Sequence, residues 1–208
     1  MINTLIQRYP ALAVCQNTIV QAAQAMIQCY EGGNKILTCG NGGSCADADH
    51  IVGELMKGFL KKRPLTEYQK HQMHNRNPQL DPVITERLQQ GLPALSLCSL
   101  TALNTAFCND VDPVLLYAQG LIGLGKEGDV LICLSTSGNA KNVCAAAQAA
   151  RALGIFVVAL TGANGGMLKD IADLCICVPE TETFQVQELH LPVYHYLCAA
   201  TETHFFPT

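Results

Sequence analysis

A glycine-rich turn, Cys39-Gly40-Asn41-Gly42-Gly43-Ser44, joins an apolar run to a helical segment, and no other feature constrains this chain more. The run before it, Lys35-Ile36-Leu37-Thr38-Cys39, reads as a parallel strand buried on both faces. The glycines let the backbone turn tightly and come close to a ligand. The segment from Cys45 onward reads as a helix, so free backbone N–H groups and the positive end of its dipole converge on one spot, a ready anion site. His50 and Glu54, at i and i+4, share one face of that helix. A phosphate cradle flanked by an imidazole and a carboxylate points to proton chemistry on a phosphorylated small molecule. The turn is not a Walker loop, because no Gly-Lys-Ser/Thr follows. Nor is it a dinucleotide fingerprint, because Cys45 falls where the third glycine belongs. Taken alone, it also reads as an ordinary turn, and His50 with Glu54 as a solvated ion pair.

A second junction of the same kind shifts that balance. Asp129-Val130-Leu131-Ile132-Cys133-Leu134 is another buried-strand run, Ser135-Thr136-Ser137-Gly138-Asn139 follows, and Ala140 to Leu153 is rich in the best helix former. Ser137 or Asn139 would suffice as a helix cap. Three hydroxyl residues around a glycine exceed that need. Two strand-to-helix turns in one sheet are best explained by a single ligand held at the carboxyl ends of the strands.

Strand-like runs recur at about Lys35–Cys39, Ala94–Leu97, Asp129–Leu134, Ile155–Leu160 and Leu174–Val178, with helical segments between them, a helix over Thr4–Tyr30 and a last one over Thr183–Thr203. This alternation predicts βαβ units and a parallel sheet covered on both faces. The 208 residues suit one domain, 1–208, with an N-terminal helix over 1–31. The stretch 61–91 is polar and is the exception to this alternation. It carries Lys61-Lys62-Arg63, read as a solvated face or as a rim attracting an anion, and His71-x-x-His74, a weak metal pattern. Asp81-Pro82 reads as a helix start, with Asp as cap and Pro in the first turn.

Composition removes several classes. A net charge of −4 argues against a general nucleic-acid surface. No stretch is long and apolar enough for a membrane span. Eleven cysteines suggest a disulfide scaffold, but Cys98, Cys133, Cys144, Cys175, Cys177 and Cys198 sit inside apolar runs, and no Cys-x-x-Cys occurs. With no signal peptide in the reading, a reducing cytoplasm is expected. In the last helix Gln187, Leu191 and His195 fall on one stripe. Pro192 removes one backbone bond there and predicts a kink.

The ordered set Gly40-Asn41-Gly42-Gly43-Ser44, Asp47-Ala48, His50, Glu54-Leu55, Asn109-Asp110, Gly128-Asp129-Val130-Leu131, Ser135-Thr136-Ser137-Gly138-Asn139, Leu160-Thr161-Gly162, Gly165-Gly166 and Gln187-Glu188-Leu189-His190 with His195 resembles the phosphoheptose isomerases, which are sugar isomerase (SIS) domain enzymes. The resemblance runs from about Gly32 to His195, and because members of the family are shorter over 61–91 it implies an insertion at about 61–91. It implies an α/β three-layer sandwich with a five-stranded parallel sheet in flavodoxin-like order, assembled as a homotetramer. It implies isomerisation of sedoheptulose 7-phosphate through an enediol(ate), with Glu54 as base and His195 as the complementary acid. Asn41, Gly42, Gly43, Ser44, Asn109, Asp110, Ser135, Thr136, Ser137 and Gln187 would hold the sugar phosphate. His50, Glu54, Gln187 and His195 would hold one Zn²⁺ per subunit, with no nucleotide cofactor; His190 would be structural or support the site from behind. Two residues depart from the family pattern: Ala140 stands where many members have serine, and Phe184 where many have an acid that contacts the sugar. The rival implied by the wider family is a SIS protein that binds sugar phosphates or a replication initiator without catalysis.

Overall fold

The unbroken apolar runs fold as strands with both faces covered: every residue of β1 (Ile36–Gly40) and β3 (Val130–Leu134) is buried. The computed structural model describes residues 1–207. With β2 (Ala94–Ser96), β4 (Phe156–Thr161) and β5 (Leu174–Cys177), these strands form a five-stranded parallel sheet in the order β2-β1-β3-β4-β5. This is the flavodoxin-like order the family resemblance implies. The helices are α1 (Ile2–Arg8), α2 (Gln16–Glu31), α3 (Gly43–Met56), α4 (Glu67–Arg76), α5 (Pro82–Arg87), α6 (Thr101–Asp110), α7 (Leu116–Leu124), α8 (Lys141–Ala152), α9 (Leu168–Ile171) and α10 (Thr183–Phe205).

Strand alternation divides the core in two. Ile36, Val130, Ile132 and Leu134 face α2, α3 and α10, packing with Ile19, Met26, Ile51, Leu55 and Leu197. Leu37, Cys39, Leu131 and Cys133 face α7 and α8, packing with Leu121, Val143 and Ala147. The result is a three-layer sandwich. The chain leaves β1 for β2 on one side and returns to β3 on the other, so the order reverses between β1 and β3. At the opposite end of these two strands, buried Asp129 accepts bonds from the Lys35 amide (3.0 Å), the Lys35 ammonium (2.6 Å) and the Lys126 amide (2.9 Å), tying the strand starts together.

The N-terminal region departs from the single helix expected over Thr4–Tyr30. It breaks at Tyr9, and a 3₁₀ segment, Pro10–Cys15, precedes α2. Pro10 has no N–H to continue α1 and disfavours helical geometry at Tyr9, which adopts φ −131°, ψ 74°. Leu12, Ile19, Ala23 and Met26 pack within the chain's own core. That apolar face is therefore spent internally. Val14 of the 3₁₀ segment is exposed, as are Leu103 of α6, Val111, Leu115 and Ile122 of α7.

Residues 61–91 contain α4 and α5, closed by a one-residue antiparallel bridge between Pro64 and Gln89. Thr66 and Gln69 form a capping box at α4. Asp81 caps α5 through the Val83 amide (2.9 Å), with Pro82 in the first turn. Lys61-Lys62-Arg63 is not one solvated face: Arg63 is 1% exposed. Its Nε donates to Glu202 Oε1 (2.8 Å) and its Nη1 to the Leu55 carbonyl (2.7 Å), and its guanidinium lies 4.8 Å from the Phe206 ring centre. Glu202, fully buried in α10, also accepts from the amides of Phe59, Leu60 and Lys61 at 2.8, 2.8 and 3.1 Å. Burial raises the Glu202 carboxyl, but these amides and the guanidinium outweigh it and hold the group below its ordinary value.

Removing one member of such a pair strands the other charge away from water. Glu202→Ala should destabilise the chain by about 3–5 kcal/mol in urea unfolding. Arg63→Met combined with Glu202→Leu should recover most of that loss. Equal losses in the single and double variants would show that the pair itself carries the contact.

Candidate active site

The cradle forms where the sheet order reverses. Gly42 has a φ of +56°, which turns the chain out of β1 and into α3. At Gly43 a Cβ would collide with the amide of Gln187 from α10, so α3 and α10 meet through a bare backbone. Asn41, Gly42, Gly43 and Ser44, following β1, and Ser135, Thr136, Ser137 and Ala140, following β3, line one cavity of about 330 Å³ with Thr183 and Gln187. The two glycine- and hydroxyl-rich turns therefore face the same space. Among the described residues, no lysine or arginine lines it. An anion there is met by hydroxyls, backbone N–H groups and the starts of α3 and α8.

Three contacts brace the cradle, two of them through Tyr117 and Asn142, which the sequence motifs do not include. Tyr117 Oη donates to the Gly40 carbonyl (2.5 Å) and lies 3.3 Å from Asn41 Oδ1. Asn41 and Asn142 exchange amide bonds of 2.8 and 2.9 Å. Gly138, at φ +67°, packs so tightly on Gly165 that no side chain fits, while Asn139 Oδ1 accepts from the Met167 amide (2.9 Å). Ala140 precedes α8 without a side-chain cap. Phe184 is 60% exposed and outside the cavity lining.

Further along α3, His50 Nε2 lies 3.1 Å from Glu54 Oε1, and Lys57 Nζ lies 3.4 Å from Glu54 Oε2. His50 Nδ1 is 3.0 Å from Tyr194 Oη, which donates to Asp47 Oδ1 at 3.0 Å. His195 of α10 packs edge-on to His50 and Tyr194, with ring centres 5.1 and 5.0 Å away, and tilted on Phe59 at 5.4 Å. Its Nε2 is buried without a hydrogen-bond partner. Burial first, then the neighbouring His50, hold the His195 imidazole below its ordinary pKa, with Glu54 and Asp47 opposing. His195 also borders an apolar cavity of about 520 Å³ between α1, α10 and Phe59.

The remaining sequence candidates lie apart from these two groups. Asn109 and Asp110 end α6, exposed, with the amide of one donating to the carboxylate of the other at 2.8 Å, and neither lines the cradle. His71 Nδ1 pairs with Asn75 (3.1 Å), and His74 faces the Thr85 hydroxyl (3.4 Å), so the two histidines serve local contacts. Among the described residues, no three His, Cys, Asp or Glu side chains converge closely enough to hold a metal ion. α10 runs unbroken through buried Pro192.

A family model for the SIS domain matches residues 11–89 and 85–162. The phosphoheptose isomerase of Rhodospirillum rubrum is 37% identical over 191 residues, covering 92% of this chain and 88% of that protein. The phosphoheptose isomerase of Aneurinibacillus thermoaerophilus is 39% identical, covering 90% and 82%. The structure of phosphoheptose isomerase from Neisseria gonorrhoeae superposes with a TM-score of 0.76 at 31% identity, covering 97% of this chain and 94% of that one. The chain belongs to the SIS-domain phosphoheptose isomerase family. From the cradle, α3 runs on to His50 and Glu54, and α10 to His195.

Within this SIS domain His190 is the buried exception. It is 0% exposed and neither ring nitrogen completes a hydrogen bond. Burial lowers its pKa to about 4, with the Thr161 backbone opposing. The unfolded chain takes up this proton near the ordinary value of about 6.5. Between the two values the unfolded state binds more protons, so stability falls as the pH drops from about 6.5 towards 4. The loss should reach about 3 kcal/mol, and His190→Leu should flatten that part of the profile in urea titrations at pH 7 and pH 4.5. An unchanged slope would mean that other groups carry it.

Ser137→Ala should weaken sugar-phosphate binding by roughly 1.5–3 kcal/mol, the worth of one hydrogen bond to a charged group, with turnover less affected. Calorimetry with the sugar phosphate measures it. Normal binding by that variant would break the case for a ligand shared by both turns.

Proposed function

We propose that this chain is an aldose–ketose isomerase that converts sedoheptulose 7-phosphate to D-glycero-D-manno-heptose 7-phosphate. One observation carries the reading. α3 starts at the phosphate cradle and, further along, presents Glu54 to a cluster that includes His195. A rise of 1.5 Å per residue sets Glu54 about 15 Å along the axis from Ser44, a span that an extended seven-carbon phosphate and the side chains at either end can bridge. Glu54 takes a proton from C1 of the ketose, and the electron pair forms the C1–C2 double bond of an enediol(ate). His195 protonates the oxygen on C2 and receives the proton of the C1 hydroxyl. Glu54 then returns its proton to C2, leaving the aldose. This pairing is what a shift of one proton between carbons and another between oxygens requires. A protein that only binds sugar phosphates has no need of a carboxylate and an imidazole held within electrostatic reach of each other, as Glu54 and His195 are.

A zinc ion, one per subunit, fits this reading by donor chemistry. The imidazoles of His50 and His195, the Glu54 carboxylate and the Gln187 amide oxygen are nitrogen and oxygen donors, and the unpartnered Nε2 of His195 is a buried polar atom in want of a partner. When bound, the ion would stabilise the negative charge of the enediolate. We assign the assembly to a homotetramer supported by the exposed apolar side chains of α6 and α7, a contact through which Asn109 and Asp110 would reach a neighbouring site. The eleven free thiols suit a reducing cytoplasm. Zinc content per subunit and mass by light scattering check these assignments.

Glu54→Gln and His195→Gln should each lower turnover by about 10²–10⁴-fold while affinity stays within a few fold. Solvent deuterium should enter the product of the wild type, followed by proton NMR, because the enediol exposes its proton to exchange. Binding of the sugar phosphate with no deuterium entry, with or without zinc, would leave a binding protein instead.

A further inference from the structure

Asp47, His50 and Glu54 occupy one stripe of α3 at i, i+3 and i+7. Tyr194, from α10, closes them into a continuous chain: Asp47 Oδ1 to Tyr194 Oη at 3.0 Å, Tyr194 Oη to His50 Nδ1 at 3.0 Å, His50 Nε2 to Glu54 Oε1 at 3.1 Å. The donor inventory leaves little freedom. A carboxylate only accepts, and a phenol has one proton to give. Tyr194 gives that proton to Asp47 and must accept from His50, so the Nδ1 of His50 carries hydrogen. Its Nε2 faces Glu54 Oε1 at 3.1 Å, and because a bare ring nitrogen and a carboxylate both only accept, a second hydrogen lies between these two atoms. Tyr194 is 1% exposed, so its hydroxyl cannot turn to water instead. Glu54 is thereby held on both oxygens, by His50 on one side and Lys57 on the other.

We propose that Tyr194 and Asp47 are positioning residues, which hold the Nδ1–H and the ring orientation of His50 and through it the aim of the Glu54 side chain. The inference rests on the isomerase reading for its catalytic consequence, but the hydrogen-bonded chain can be tested without turnover. The pattern is that of outer partners orienting an inner group, where removal costs about 10–100-fold.

Tyr194→Phe removes the hydroxyl and keeps the ring that packs on His195; Asp47→Asn removes the obligate acceptor. In each, kcat for the sugar phosphate should fall about 10-fold or more, with KM within about twofold. The double variant should lose no more than the worse single one, because both act through one chain. In ¹⁵N-labelled protein the His50 ring signals, assigned by their absence in His50→Gln, should show a protonated Nδ1 in the wild type and a changed Nδ1 signal in both variants. A merely structural role would lower the melting midpoint and leave these signals in place. Unchanged kcat, or unchanged His50 signals beside a lowered kcat, overturns the proposal. A wild type without turnover overturns the isomerase reading, and the ring signals then still decide the positioning. If Tyr194→Phe does not fold, Asp47→Asn carries both readouts.

Discussion

A guanidinium and a carboxylate sealed from water, Arg63 and Glu202, hold α10 against the segment that leaves α3, and the site hangs on this contact. Taking two charges out of water is costly, and their attraction alone rarely repays it. Here the cost is offset by satisfying nearly every lone pair and proton: three backbone amides and Nε converge on Glu202, and Arg63 reaches the Leu55 carbonyl at the end of α3. The same amides fix Phe59, whose ring then packs on His195. A contact remote from the cradle thus bears on how His195 of α10 sits relative to α3.

The cradle obeys a different constraint. At the β1/β3 reversal the turns that leave neighbouring strands cannot cross, so they open outward around a crevice. Each turn starts a helix, and the two starts aim at the same cavity. Among the described residues no lysine or arginine lines it, so hydroxyls, backbone N–H groups and helix starts would meet the charge of an anionic ligand. Gly43 against Gln187 makes the cradle and α10 one packed unit, so a bound phosphate bears on the helix that also carries His195.

Three histidines show how environment divides one side chain into three roles. His50, with its side chain 42% accessible, sits in a chain of hydrogen bonds with both nitrogens occupied. His195 is partly buried, with one nitrogen unpartnered and its proton affinity reduced. His190, one turn before it relative to Tyr194, is wholly enclosed and neutral, and contributes packing alone. Burial and the partners at hand, not residue type, set these three environments apart.

The sequence by itself determined what has a short period or a local mechanism. Five buried apolar runs alternating with helical segments specify a covered parallel sheet. The two glycine- and hydroxyl-rich turns mark its ligand end, Asp81-Pro82 starts α5, and the i, i+4 pair puts His50 beside Glu54. Pro10 could have signalled the break after α1, and the reading of one long helix passed over it. Tertiary structure alone decided which residues meet across the chain. Arg63 looks like part of a solvated basic run until Glu202, 139 residues away, takes it inside. Tyr194 looks like a core aromatic until α10 lies on α3 and its hydroxyl falls between Asp47 and His50. The apolar stripe of α2 says that one face is buried, and only the packing shows that α10 covers it. Periodicity reports the face a residue shares with its own neighbours; the partner across that face is set by how the elements pack, which no local pattern encodes.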